Sequence, residues 1–224
     1  MKKVLVVLAL LLVPGIALAV PTITFDTTPG GAGGTVTYDG LGGPLVGTGI
    51  VFVDILGQGT PLNNNDLLDC VGCTLDFTTG TNVLEGPTNW TWNGGGSFVL
   101  TGTVPSIGII APVALVSGSF TATPNTPGLV SFGASGLFAA IGVDVKDEVL
   151  ASHYGLGPDF NFANTEIALG TFTLGADGAF SAVPNQADLI NTAVPEPATL
   201  LLLGTGLVGA GAFKRRMRKQ KLSV

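Results

Sequence analysis

Positive charge is almost absent from the greater part of this 224-residue chain. Its nine Lys and Arg residues stand at positions 2 and 3, at position 146, and six times after Phe213. Residues 20–193 therefore combine fourteen acids with a single lysine, which gives this segment a formal charge of −13. Phosphate backbones attract proteins through Lys and Arg. We expect no nucleic-acid partner for this part of the chain.

Residues typical of active sites are also scarce. The chain has one His and two Cys, too few for a four-ligand zinc site. His153 stands near Asp147, Glu148 and Ser152 in the sequence, but a catalytic triad depends on positions in space, and no G-x-S-x-G motif occurs. The sequence predicts no catalytic residue, no cofactor and no enzyme. A secreted carbohydrate-active hydrolase is the alternative, and a cleft with two facing carboxylates would favour it.

The N-terminal residues have the three parts of a secretory signal peptide. Two lysines open the chain, an apolar run covers residues 4–13, and Ala17-Leu18-Ala19 is a small-x-small cleavage signal. These features predict a signal peptide over residues 1–19, removed by signal peptidase after Ala19. A retained membrane anchor is the alternative, although Pro14-Gly15 interrupts the apolar run.

The C-terminal residues also divide into three parts. The motif at 194–197 includes Pro195-Glu196-Pro197, an uncharged run covers 198–213, and a basic tail covers 214–224. As a transmembrane helix, the uncharged run would span about 24 Å at ~1.5 Å per residue, short of the roughly 30 Å of a hydrocarbon core. Because cations stay on the cytoplasmic side, we expect residues 20–193 to lie outside the cytoplasm.

The order of these three parts resembles the PEP-CTERM sorting signal of Gram-negative bacteria, over residues 194–219. The resemblance implies that Pro195, Glu196 and Pro197 are recognised by an exosortase, a membrane-embedded cysteine protease or transpeptidase. It implies an inner-membrane intermediate with the body in the periplasm, followed by release or transfer to the cell surface or the extracellular space. Proteins of this kind accompany exopolysaccharide and biofilm, which makes exopolysaccharide a candidate partner. An ordinary single-span anchor is the alternative.

Residues 20–193 are predicted to form one all-β domain. Short runs rich in Val, Thr, Ile and Phe alternate with Gly, Pro, Asn and Asp, a pattern typical of half-buried antiparallel strands. We expect a single antiparallel β-sandwich, similar to a jelly roll. One short helix is predicted over 146–156, with Gly155 as its stop. Its apolar stripe would consist of Val149, Leu150 and Tyr154.

Cys70 and Cys73 are the only cysteines of the chain. Two Cys in an exported protein favour a structural disulfide. A redox-active pair is the alternative, but it requires a helix N-terminus that lowers the pKa of one thiol. The strand-like sequence TLDFTTG follows Cys73 at once.

Two further stretches are candidate binding residues. Trp90 and Trp92 lie on one face of a strand because they are two residues apart. Facing inward they belong to the core, and facing outward they form a platform for sugar rings. Asn63, Asn65, Asp66 and Asp69 form an oxygen-rich stretch that is a candidate Ca²⁺ loop. A solvated turn is the alternative for that stretch.

Overall fold

The computed structural model describes residues 20–28, 31–122, 127–157, 160–175 and 177–192. The predicted signal peptide, sorting motif, membrane span and basic tail lie outside these residues. Within the described ranges, one α-helix, α1 (Glu148–Tyr154), and one 3-10 turn (Pro105–Ile107) accompany the strands. The strands are β1 (Thr22–Asp26), β2 (Thr35–Tyr38), β3 (Pro44–Gln58), β4 (Leu67–Glu85), β5 (Asn89–Trp92), β6 (Gly95–Val104), β7 (Ile109–Phe120), β8 (Gly128–Phe132), β9 (Ser135–Lys146), β10 (Phe162–Leu174) and β11 (Phe180–Thr192).

All eleven strands belong to one antiparallel sheet that returns on itself. The pairs run from β1 through β3, β4, β6, β7, β9, β10 and β11 and back to β1. At the end of the long strands away from the β1–β11 pair, β2 lies between β3 and β11. At that end, β5 and β8 lie between β4 and β9. The predicted antiparallel all-β class with one short helix is confirmed. The two-sheet, jelly-roll-like sandwich is not confirmed, because backbone pairing continues around the whole circuit.

The interior of this closed sheet is filled by alternate side chains of each strand. Along β9, for example, inward residues are buried and most outward residues are exposed. Aromatic rings occupy much of the interior. Phe77 stacks on Phe138 with ring centroids 5.1 Å apart, and Phe98 and Phe120 complete this cluster. A second cluster contains Tyr38, Trp90, Trp92, Phe172 and Phe180.

Two inward glycines leave space for buried aromatic rings. A Cβ atom added at Gly47 would overlap the ring of Phe77, and one added at Gly57 would overlap the ring of Tyr154. Strand interiors disfavour glycine because it has no side chain to pack. The close approach of a ring to the backbone explains why glycine stands at both positions.

Helix α1 lies against one end of the closed sheet, where the Tyr154 hydroxyl donates to the Ile55 carbonyl oxygen of β3. The Asp147 carboxylate accepts hydrogen bonds from the backbone N–H groups of Val149 and Leu150, which makes Asp147 the N-cap. Gly155 ends the helix with a left-handed φ of 70°, so the predicted stop is confirmed. Leu150 and Tyr154 are buried. The prediction that Val149 joins them is wrong, because its side chain is exposed.

Candidate functional site

The first and last strands of the described chain begin and end side by side. Thr22 of β1 is directly opposite Thr192 of β11, and also opposite Gln58 of β3. Helix α1 covers the same end of the sheet, through contacts of Tyr154 with Ile55 and Asp66. We call this end, defined by Thr22, Gln58, α1 and Thr192, the helical end. The start of β1 and the end of β11 therefore both lie at the helical end.

The last residues of β11 are paired on both sides, but one of them buries a side-chain amide that has no hydrogen-bond partner. Thr192 has partners on β1 and on β10. Asn191 is 0% exposed, and neither its amide nitrogen nor its amide oxygen has a hydrogen-bond partner. Its cross-strand neighbours are Ile23 and Ala163, both buried and apolar. An unsatisfied buried polar group costs about 1–3 kcal/mol, so this defect weakens the end of β11.

The turn between β3 and β4 is fastened to helix α1 by polar contacts. The Asn63 side-chain amide donates to the His153 carbonyl oxygen at 2.7 Å. The Asp66 carboxylate lies 2.9 Å from Nε2 of His153. The Tyr154 hydroxyl donates to the Asp66 carbonyl oxygen at 3.1 Å. Burial, and then the charge of Asp66, raise the pKa of Tyr154 to about 12. His153 thus holds the turn in place.

These contacts bear on the candidate calcium loop. Asn63 and Asn65 adopt left-handed backbone angles, with φ of 47° and 62°, as Asn does in tight turns. The Asp66 carboxylate faces His153, while Asp69 lies on β4 opposite Asp54. Within the described ranges, no group of three or more His, Cys, Asp or Glu side chains is placed to hold a metal ion. The contacts favour the solvated-turn alternative.

The single lysine of the body is buried in an ion pair at the helical end. Lys146 Nζ lies 2.6 Å from Asp144 Oδ1, and it donates to the Phe160 carbonyl oxygen at 2.8 Å. Burial lowers the pKa of Lys146 and raises that of Asp144, and the charge of each partner opposes the shift. The second Asp144 oxygen has no partner. A cavity of about 230 Å³ adjoins the pair, bounded by Leu156 and Phe160.

Carboxylates form a row across five neighbouring strands on the outer face of the sheet. In strand order, the residues directly opposite one another are Glu166, Asp188, Asp26, Asp54 and Asp69. Opposite side chains have Cβ atoms about 4.5–5.5 Å apart, so the charges repel. Burial, a hydrogen bond with Asp26, and the charges of Asp26 and Glu166 raise the pKa of Asp188 to about 6. The row can therefore hold a proton near neutral pH.

Cys70 and Cys73 are joined by a disulfide, as predicted. They lie in β4 at a bulge where the pairing with both β3 and β6 shifts register. Gly72, between them, has a left-handed φ of 63°. Both cysteines are buried on a strand, so the helix N-terminus that a redox pair requires is absent from their position.

Trp90 and Trp92 both face inward. They are 1% and 0% exposed, respectively, and pack against rings of the second aromatic cluster. The candidate carbohydrate platform is therefore wrong, because neither ring presents a face to solvent. The alternation of β5 places both rings in the interior, since Asn89 and Thr91 take the outward positions.

Comparison with known proteins identifies the segment that follows β11. Residues 193–219 match the family model of the PEP-CTERM protein-sorting motif. The chain carries a PEP-CTERM sorting motif. The resemblance of residues 194–219 is thereby confirmed, and the PEP-CTERM motif marks an exported protein that an exosortase sorts. The match begins at the residue after Thr192.

Two further comparisons concern the whole chain. No curated protein and no solved structure matches the chain. Among the helices that the structure describes, none is long and apolar enough to cross a membrane. The sorting motif therefore identifies the export route, while the activity of the body has to be argued from its own residues.

Proposed function

We propose that this PEP-CTERM protein is an exported, non-enzymatic component of the cell surface or extracellular matrix, with a structural or adhesive role. The observation that carries the proposal is that the match to the sorting motif begins at the residue after Thr192, and that Thr192 lies opposite Thr22 of β1. A signal peptide before Thr22 and an exosortase signal after Thr192 would hold the helical end towards the inner membrane. Processing at both ends would then release the body.

The surface and interior of the body support a structural role. Aromatic rings fill the interior, and the outward positions of the strands carry many Thr, Ser and Asn side chains. These hydroxyl and amide groups are suited to hydrogen bonds with exopolysaccharide. The charge of −13 on residues 20–193 keeps copies of the body apart. Low pH or divalent cations such as Ca²⁺ would weaken this repulsion and favour assembly.

A carbohydrate-active hydrolase is the second candidate function. Asp188, whose pKa is raised to about 6 beside Asp26 and Glu166, is the observation that favours it, since glycosidases combine a protonated and an ionised carboxyl group. The replacement Asp188→Asn tests this candidate. If the wild type hydrolyses exopolysaccharide and the variant does not, the result would support the enzyme. If neither protein hydrolyses it, the result would support the structural role.

The masses and termini of the mature protein test the export route. Protein is recovered separately from the membrane and from the medium and measured intact. We expect Val20 as the first residue and a C-terminus between Val194 and Pro197 outside the cell. Glu196→Ala should retain the tail, and Glu148→Ala should be processed normally. Recovery only from the inner membrane, with residues 214–224 still present, would contradict the proposal.

Binding of the released body to exopolysaccharide is tested separately. Purified body is mixed with the polymer of the same cells and sedimented. Sedimentation of the body together with the polymer would support adhesion. A sample from which the polymer has been removed is the control, and the body should stay in solution there. A body that stays in solution at every polymer concentration would restrict the proposal to a structural role without exopolysaccharide as partner.

A further inference from the structure

The connection between the closed sheet and the sorting motif is very short. Thr192 is paired with β1 and with β10, and only Ala193 and Val194 separate it from Pro195. Three residue steps reach at most about 11 Å. An enzyme that binds Pro195–Pro197 as an extended strand would meet the helical end before it could enclose residues on both sides of the motif. From this spacing alone, we expect the folded body to restrict the access of such an enzyme to the sorting motif.

The packing of the inward side chains of β11 changes near the end of the strand. Leu189 is apolar, fully buried and paired with Phe25 of β1. Asn191, two residues further along, occupies the same inward face but has an amide without partners. Unpairing of residues 190–192 exposes this amide to water and leaves Leu189 in place. The end of the strand thus has an energetic reason to open that the rest of the strand lacks.

We propose that Asn191 is a positioning residue for sorting, because its unsatisfied amide lets residues 190–192 leave the sheet and lengthens the strand in front of Pro195. The free segment then runs from Leu189 to Pro195, six residue steps instead of three, and reaches about 22 Å. This inference rests on the proposed function, since it concerns processing at the PEP-CTERM motif. Asn191 acts through the geometry of the backbone and needs no contact with the enzyme.

The replacement Asn191→Leu tests the inference, because Leu has a similar branched shape without polar atoms. The full chain is expressed in a host that processes PEP-CTERM proteins, and loss of the tail is followed by pulse-chase labelling. We expect processing to be several-fold slower and amide exchange of residues 190–192 to be several-fold slower. Thr60→Val is the matched control, since the Thr60 hydroxyl is also buried without a partner. This control should leave the processing rate unchanged.

A spacer separates positioning from general stability. Insertion of Gly-Ser-Gly-Ser after Thr192 should restore the wild-type processing rate to Asn191→Leu, although the end of β11 stays protected. Asn191→Val provides a second variant if Leu does not fit the interior. Processing at the wild-type rate in a variant with slower exchange, or failure of the spacer to restore the rate, would overturn the inference. If Asn191→Leu and Asn191→Val both destabilise the body, the amide has partners, and this result would also overturn the inference.

The proposed function and the inference fail in different ways. Retention of the tail in the wild-type chain would contradict processing itself, and both would fall. Normal processing of the wild type with no difference between Asn191→Leu and Thr60→Val would leave the export route intact and reject the role of Asn191 alone.

Discussion

Thr22 and Thr192 lie directly opposite each other, so the first and last strands of the described chain pair and close the sheet. This pair joins residues from the two ends of the body. The circuit is complete only when β1 and β11 have both been formed. Because the chain is exported, the sheet can close only after β11 has crossed the membrane. Contacts of such long sequence separation form late because loop closure has to precede them.

Kinetics of folding test this order of events. Phe25→Ala removes a buried ring from the closing strand and should lower the free energy of unfolding by about 3–5 kcal/mol. If closure is late, most of that loss raises the unfolding rate and little of it lowers the folding rate. Phe98→Ala, in the local hairpin of β6 and β7, is the control with a larger effect on folding. Stopped-flow refolding that is slowed mainly by Phe25→Ala would contradict late closure.

The carboxylate row makes stability depend on pH. The pKa of Asp188 is about 6 in the folded protein and near 3.8 in an unfolded chain. Between these values the folded state binds the extra proton, so the stability that Asp188 contributes is fully present below about pH 4 and is lost as the pH rises through 6. A shift of this size corresponds to about 3 kcal/mol at full strength. Because the side chain is partly solvated, we expect roughly 1 kcal/mol.

Urea unfolding between pH 4 and 7 measures this contribution. Asp188→Asn should flatten the fall in stability between pH 4 and 6 and raise stability at pH 7. Asp177→Asn, at an acid outside the row, is the control and should keep the wild-type slope. A wild-type slope in Asp188→Asn would show that Asp188 does not hold the extra proton.

The buried pair of Asp144 and Lys146 should tolerate double replacement better than single replacement. Removal of one partner leaves a buried charge, which costs about 3–5 kcal/mol. Asp144→Leu with Lys146→Met removes both charges and should recover much of that loss. Denaturant unfolding of the four proteins of this cycle gives the coupling energy. Additive losses in the double variant would show that the two side chains do not act as a pair.

The close approach of Phe77 to Gly47 predicts a steric cost. Gly47→Ala places a methyl group on the ring and should lower the free energy of unfolding by about 1–3 kcal/mol. Gly157→Ala is the control, because a Cβ atom there has no heavy atom within 4 Å. Thermal unfolding compares the two. Equal melting temperatures for Gly47→Ala and the wild type would contradict the packing of Phe77 described above.

Local pattern was enough to predict the strands, the helix stop and the disulfide, because these depend on neighbouring residues. Alternating Val, Thr and Phe mark the strands, and Gly155 ends the helix through its own backbone angle. Closure of the sheet was not predictable, since it depends on the register of β1 against β11. The same limit applies to the carboxylate row, which only strand pairing brings together. Asn191 did leave a signal, as a polar residue on the inward side of β11 after Leu189.

The position of the two tryptophans yields a spectroscopic prediction. Because Trp90 and Trp92 are buried among Tyr38, Phe172 and Phe180, their fluorescence should resemble that of indole in an apolar solvent. Iodide should quench little of it, and added polysaccharide should leave the emission unchanged. Trp92→Phe should cost less stability than Trp92→Ala, since Phe keeps a ring in the interior, and the indole N–H that it removes has no partner to lose. Emission typical of water-exposed indole, shifted by sugars, would instead place the rings on the surface as a binding platform.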